Sequence, residues 1–175
     1  MKRLFILLLV LAVASAFAFE KGTKTVGGFI GYNSYKYNSD ADAVNTIAIN
    51  PVGGYFFMDN ICADLEVEYT NTNSSDWDEP ETHFGFGIGG RYFYNYIYGG
   101  AAFMMMSYSP ANVDLSYSAN YLKFRGGYLF NIAENIYVDL GAHYMMGFGE
   151  YGGDGEGDNE ESELQIGGGI DIFFP

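Results

Sequence analysis

Residues Ile61-Cys62-Ala63-Asp64-Leu65-Glu66-Val67-Glu68-Tyr69 alternate between two sets of side chains without a break. A strand sends successive side chains to opposite faces, so Ile61, Ala63, Leu65, Val67 and Tyr69 share one face and Cys62, Asp64, Glu66 and Glu68 the other. A helix at this spacing would mix the two sets around its surface, so the stretch reads as β-strand. The same period recurs further along. Phe84, Phe86, Ile88 and Tyr92 oppose His83, Gly85, Gly87, Gly89 and Arg91. Leu122, Phe124, Tyr128 and Phe130 oppose Lys123, Arg125 and Gly127. Ile136, Val138, Leu140, Ala142 and Tyr144 oppose Tyr137, Asp139, Gly141 and His143, and Leu164, Ile166, Ile170 and Ile172 oppose Gln165, Gly167, Gly169 and Asp171. Weaker segments at about 23–37, 44–57 and 96–108 bring the total to eight. Pro51, inside the second of them, lacks an amide donor and predicts a bulge or local break.

The links between these segments take turns in length. Those near 58–60, 94–95 and 131–135 are short; those at about 38–43, 71–81, 109–118 and 147–162 are mostly longer and rich in Ser, Asn, Asp and Gly. In an up-and-down barrel this places every long loop at one end and both chain termini at the other. Outer-membrane barrels have that arrangement, with an even strand number, short periplasmic turns and long external loops. Strands of about 9–12 residues are long enough to cross a bilayer when tilted.

Composition agrees. The 175 residues are 18% aromatic, with 16 Tyr, 15 Phe and 24 Gly, a mixture that favours β-structure over helix. Twenty-two acids against 8 bases give a net charge of -14, which repels phosphate backbones and argues against nucleic-acid binding. A single Cys excludes an intrachain disulfide and any Cys-based zinc site. Residues 1–18 read as a secretory signal peptide: Met1-Lys2-Arg3 is positive, 4–13 is apolar, and Ala14-Ser15-Ala16 and Ala16-Phe17-Ala18 both fit the small-x-small cleavage pattern. The barrel domain then spans 19–175. No later stretch is apolar for long enough to form a transmembrane helix, and a chain that crosses without helices must close into a barrel.

Alternation does not say which face points outward; a lipocalin-like soluble barrel hides its apolar face within. Two features favour the membrane orientation. The less apolar face is rich in Gly, which suits the cramped interior of an eight-stranded barrel. Tyr and Phe crowd the strand ends on the apolar face, at Tyr32, Tyr55, Phe57, Tyr69, Phe84, Tyr92, Phe130, Tyr144 and Phe174, as in aromatic girdles.

In this pattern and topology the chain resembles the small eight-stranded outer-membrane barrels of the OmpA/OmpX type. The resemblance covers the whole chain after residue 18. It implies an all-β, eight-stranded antiparallel up-and-down transmembrane β-barrel. It implies no cofactor, a monomer, and partners among outer-membrane lipid, lipopolysaccharide and the barrel-assembly machinery. That machinery reads a final alternating strand closing on an aromatic residue, here Ile166, Gly168, Ile170, Ile172 and Phe174, with Pro175 as a departure.

With the polar face inside, Asp64, Glu66, Glu68, Asp139 and Asp171 share a narrow lumen with Arg91, Lys123 and Arg125. Isolated buried charges are too costly to persist, so a network of ion pairs and hydrogen bonds is expected. Acids exceed bases by five to three in this set, which leaves carboxylates to be protonated or bridged by water. Such a network could gate ions; it more readily fills the barrel, since eight strands leave room only for side chains. His83 and His143 fall on the same face near the loop end, with Ser107 and Ser109 close by in sequence order. No spacing fixes a nucleophile or a third ligand, so they read as polar contacts rather than a catalytic or metal site. In 152–161, Asp154, Glu156 and Asp158 alternate with Gly and could ligate Ca²⁺, but the spacing is not that of an EF-hand, and a solvated acidic loop is the simpler reading. Trp77, in an outer link, could anchor at the interface or meet a partner. The expected role is non-enzymatic, structural or surface-interacting; the alternatives are a barrel enzyme modifying membrane lipid, a narrow channel, and a soluble binder of apolar ligands.

Overall fold

The computed structural model describes residues 19–35, 43–112, 114–155 and 157–175, with the side chains of Asn33 and Tyr35 left aside. The segment 1–18, expected to be a signal peptide, therefore lies outside the described residues. Eight strands follow one another: β1 Lys24–Tyr35, β2 Val44–Met58, β3 Ile61–Ser74, β4 Glu81–Tyr94, β5 Ile97–Ser109, β6 Tyr117–Ala133, β7 Ile136–Gly153 and β8 Ser162–Phe174. Each pairs antiparallel with the next, and β8 returns to β1, so the sheet is a closed up-and-down barrel. Closure leaves no free strand at the ends of the sheet.

At one end the hairpins are two-residue turns at 59–60, 95–96 and 134–135. Each holds an Asn with positive φ, Asn60 at 65°, Asn95 at 55° and Asn135 at 61°. Asn tolerates this left-handed region because its side chain hydrogen-bonds locally, so these residues permit the tightest reversals. The other end carries 75–80, 110–116 and 154–161, while the first link, expected at 38–43, lies almost wholly outside the described residues. The three described links are shorter than the sequence suggested, and 71–74 and 147–153 belong to strands. Their side chains are polar, but a ladder is made by backbone groups, and Asn71, Thr72, Asn73 and Ser74 pair with β2. Similarly, β6 runs through 131–133 across a register shift.

Pro51 does not create a bulge. The β2–β3 register is the same on either side of it, from Ile49↔Tyr69 to Val52↔Glu66, with a gap in the ladder between. Pro51 itself is exposed on the outer face, where its missing donor interrupts pairing without shifting it.

The barrel turns its apolar side chains outward. On β3, Leu65 and Tyr69 are exposed while Cys62, Asp64, Glu66 and Glu68 are buried. Phe84, Phe86, Ile88, Phe103, Leu122 and Phe124 are exposed likewise on β4, β5 and β6. The inward face is filled in layers. At the short-turn end Phe56, Cys62, Phe93, Tyr98, Leu129 and Phe173 pack together, and Phe19 reaches in from outside the sheet to stack on Phe173 at 4.3 Å. Toward the loops Met104, Met106, Tyr108, Tyr121 and Met145 form a second cluster. Gly85 and Gly87 make room for it: a Cβ on either would lie 2.1 Å from the sulfur of Met106 or Met104. The charged side chains lie between the two clusters.

The joint between β1 and β8 is the tightest backbone approach. A Cβ at Gly169 would sit 2.0 Å from the Gly28 carbonyl oxygen, an atom that cannot rotate away. Gly169→Ala should therefore cost about 1–3 kcal/mol through overpacking, seen as an earlier urea midpoint with an unchanged slope.

Candidate functional site in the lumen

The alternation of β3 aims Asp64, Glu66 and Glu68 into the barrel one above the other. Facing strands supply the cations, Arg91 from β4 and Lys123 and Arg125 from β6. Arg91 grips Asp64 with two donors: Nε donates to Oδ2 and Nη2 to Oδ1, both at 3.0 Å. Its third nitrogen, Nη1, reaches Asp171 Oδ2 at 3.3 Å. Arg125 Nη2 donates to Asp64 Oδ2 at 2.7 Å, and Nη1 lies 2.9 Å from Glu66 Oε1. Lys123 Nζ lies 3.1 Å from Glu66 Oε2 and 3.5 Å from Glu68 Oε2. Asn50 Nδ2 adds a hydrogen bond to Glu68 at 3.0 Å. Asp64 thus serves two arginines, and Glu66 one arginine and one lysine.

Burial makes these contacts strong. Asp64 is 1% exposed and Glu66 0%, with Arg91, Lys123 and Asp171 nearly as covered. Charge pairs shielded from water are little screened, and bidentate arginine–carboxylate geometry adds direction to attraction. The flat Arg91 guanidinium also lies 5.2 Å from the Phe93 ring centre and 5.5 Å from that of Tyr98, so the aromatic layer supports it from below.

Asp139 departs from the expected network. No cation pairs with it among the described residues; its Oδ2 accepts instead from the Tyr98 hydroxyl at 2.8 Å. Tyr98 sits in one of the three segments of weaker alternation, 96–108, where nothing in the sequence marks it as a partner. Asp139 Oδ1, Arg125 Nε and His143 Nε2 are buried and have no hydrogen-bond partner.

The other candidates are scattered. His83 bonds to Glu81 Oε1 at 2.9 Å and rests edge-on against Tyr108. Ser107 pairs across the ladder with Phe84 and Ser109 with Thr82, whereas His83 faces Tyr108, so Ser107 and His83 occupy opposite faces of the wall. His143 lies on β7 across from Arg125 and Gln165, away from either serine. The Ser–His arrangement that acyl transfer needs is therefore not assembled from these residues. Trp77 is half-buried in the 75–80 link, its amide held by the Ser74 carbonyl.

The acidic loop is anchored at several points, while Asp154, Asp158, Glu160 and Glu161 stay exposed. Asn159 is buried and donates to the Asn120 carbonyl at 2.9 Å. Glu161 accepts from the Tyr121 hydroxyl at 2.6 Å, and Tyr121 receives a bond from Tyr108 at 2.7 Å. These links strap the loop across the barrel mouth. Asp154 Oδ2 accepts from the Ser116 amide at 2.9 Å, and Asp158 forms an isolated bridge with Glu150. Glu156 lies outside the described residues. Among the described residues no cluster of three or more His, Cys, Asp or Glu side chains is disposed to hold a metal ion. The polar loop residues gave little hint of this strap, because Asn and Glu in a Gly-rich acidic run look the same whether solvated or anchored.

The lumen is thus stoppered by aromatics at one end, crossed by ion pairs in the middle and capped by methionines and tyrosines at the other. No protein-family model matches this chain, and no curated protein matches it.

Proposed function

We propose that this chain is a non-enzymatic, monomeric outer-membrane β-barrel of the small OmpA/OmpX-like kind, with a structural or surface-interaction role carried by its outer loops. One observation carries the reading: a closed barrel whose outer wall is apolar and whose core is charged. A soluble barrel has the reverse arrangement, and large apolar surfaces exposed to water are an aggregation liability. Here the exposed set includes Ile30, Leu65, Phe86, Ile88, Phe103 and Ile166. Tyr55, Tyr92, Tyr128, Phe130 and Phe174 ring the short-turn end of this surface, and Tyr32, Tyr69 and Tyr144 lie toward the loops. Aromatic belts of this kind sit at bilayer interfaces. The shortest strands, of 12 and 13 residues, reach roughly 30 Å when tilted, enough for the hydrocarbon core.

Lipid and lipopolysaccharide are then the partners of the wall, the assembly machinery reads β8, and residues 1–18 direct export. The filled lumen supports a structural role over a conduit. Ser107 and His83 on opposite faces give a lipid-modifying enzyme no visible catalytic pair.

The test is mobility on a detergent gel of outer-membrane fractions, unheated and boiled. A closed membrane barrel resists detergent until heated, so a band that shifts on boiling, in the detergent-extracted fraction, is expected. A chain in the soluble periplasm with no shift would overturn the orientation of the wall.

A further inference from the structure

The wall is not equally sealed all round. β1 and β8 share six ladder pairs, from Lys24↔Phe174 to Phe29↔Gly169, and pairing stops there. Every other neighbouring pair shares eleven to fifteen. Above Phe29, β1 continues paired only to β2, and below Gly169 in sequence β8 is paired only to β7. The loop-side half of this seam is therefore unzipped. The four most exposed large apolar side chains of the described residues flank it: Ile166 at 81%, Ile30 at 72%, Tyr32 at 70% and Leu164 at 66%. Unpaired backbone groups facing hydrocarbon are costly, so this half of the seam is the weakest part of the wall.

Behind the seam lies a cavity of about 90 Å³. By that measure it holds roughly six waters or one small head group. Its lining joins both sides of the wall. Ile166 and Gly168 come from the outward-facing set of β8, while Arg125, Asp139 and His143 come from the lumen. Phe29 stands at the threshold, its ring within 3.0 Å of where a Cβ on Gly31 or Gly167 would be; glycine at those positions leaves the ring its place. Of the six buried side-chain atoms without hydrogen-bond partners among the described residues, Arg125 Nε, Asp139 Oδ1 and His143 Nε2 belong to residues that line this cavity; the others are Thr25 Oγ1 and the two Glu66 oxygens, which lie beside cations. Arg125 is more than nine-tenths buried.

We propose that the upper β1–β8 seam is a lateral entrance through which a neutral, hydroxyl-headed, single-chain amphiphile seats its head in the lumenal cavity and leaves its chain in the bilayer. The proposal rests on the membrane reading above. The head chemistry follows from the lining. Arg125 Nε offers a hydrogen and Asp139 Oδ1 needs one, and a hydroxyl does both. An anionic head would meet a lumen in which Asp64, Glu66, Glu68 and Asp171 already occupy all three cations. An ammonium head would suit Asp139 but face Arg125 and Lys123. The chain follows from the flanking Ile30, Leu164 and Ile166.

The experiment uses the full-length barrel in phospholipid bilayers, with Trp77→Phe to remove the native fluorophore. Phe29→Trp places a reporter at the threshold, and Ile88→Trp places one on the outer face of β4. The probe is undecanol brominated at its third carbon, whose bromine quenches on contact. Saturable quenching of the Phe29→Trp reporter is expected, displaced by plain undecanol and not by undecanoic acid, while the Ile88→Trp reporter shows only non-saturating partition. Asp139→Leu should weaken the saturable phase about tenfold. If Phe29→Trp fails to give a heat-shifted band, Ile166→Trp carries the same measurement. Quenching equal at both positions, or saturation unaltered by Asp139→Leu, overturns the proposal. So does a Tyr32→Cys/Ile166→Cys pair that crosslinks readily without ligand. Within one chain it would show the seam zipped in the register of its lower half; between chains it would show a second copy on the edge. In each case a persisting heat shift keeps the barrel itself intact, so the two failures are distinguishable.

Discussion

Asp64→Ala should destabilise the barrel by about 3–5 kcal/mol, the largest loss expected from any single truncation in the lumen. Asp64 accepts from Arg91 at both carboxylate oxygens and from Arg125 at Oδ2 as well. Its removal leaves two guanidinium groups short of charge while their side chains stay almost wholly covered by protein. Arg91 keeps only the 3.3 Å contact to Asp171, and Arg125 only Glu66. The asymmetry is the point: an intact buried network contributes little net stability, because desolvation offsets attraction, but breaking one side exposes the whole desolvation cost. Arg91→Met should approach the same loss, since it strands Asp171 and leaves Asp64 with Arg125 alone. Equilibrium urea unfolding in bilayers, followed by the heat-shifted fraction, gives the number. A loss below about 1 kcal/mol would mean that water enters freely and screens the charges, as it does for exposed pairs. That result would replace the plug with a wetted conduit.

The part of this network on β3 was legible in nine residues of sequence, because period two leaves only one way to place Asp64, Glu66 and Glu68 relative to Leu65 and Val67. Arg91, Lys123 and Arg125 were legible for the same reason on strands whose alternation is equally regular. What period two cannot read is who stands opposite whom around a closed wall. Asp139 belonged to the right face, yet its neighbour is Tyr98, on a strand where Gly99, Gly100, Ala101 and Ala102 blur both faces. Phe29 escaped for a similar reason: it sits among Gly27, Gly28 and Gly31, where an inward aromatic looks like one more girdle residue. The strands run further into the loop end than polarity alone suggests. Asn71 and Thr72 are polar and paired, since a ladder above the apolar band can carry any side chain that water accepts. The short turns near 58–60 and 94–95 agree with the structure to within a residue, whereas the third, expected at 131–135, closes to 134–135 because β6 continues through Ala133.

Ile88→Arg should cost about 2–4 kcal/mol in a bilayer, because the position lies at mid-height of β4 on the outer face. Its ladder neighbours are Leu65 and Phe103, both exposed and apolar, so no acid stands ready to pair with the new charge. Ile97→Arg is the internal control. Ile97 faces the same way but begins β5 beside a short turn, at the level of Tyr92 and Tyr128, where the arginine can reach the head-group layer. The cost there should fall to about 0–1 kcal/mol. The two substitutions add the same charge to the same kind of residue on the same face, so strand propensity and lost apolar volume largely cancel in the comparison. What survives is depth. If the wall faced water, both arginines would sit in solvent, and surface changes of that kind move stability by no more than about 0.5 kcal/mol. A difference near 2 kcal/mol between Ile88 and Ile97 can therefore arise only from a low-dielectric layer centred on the middle of the strands. Equal and small effects at both sites would place the apolar wall in water and overturn the membrane reading.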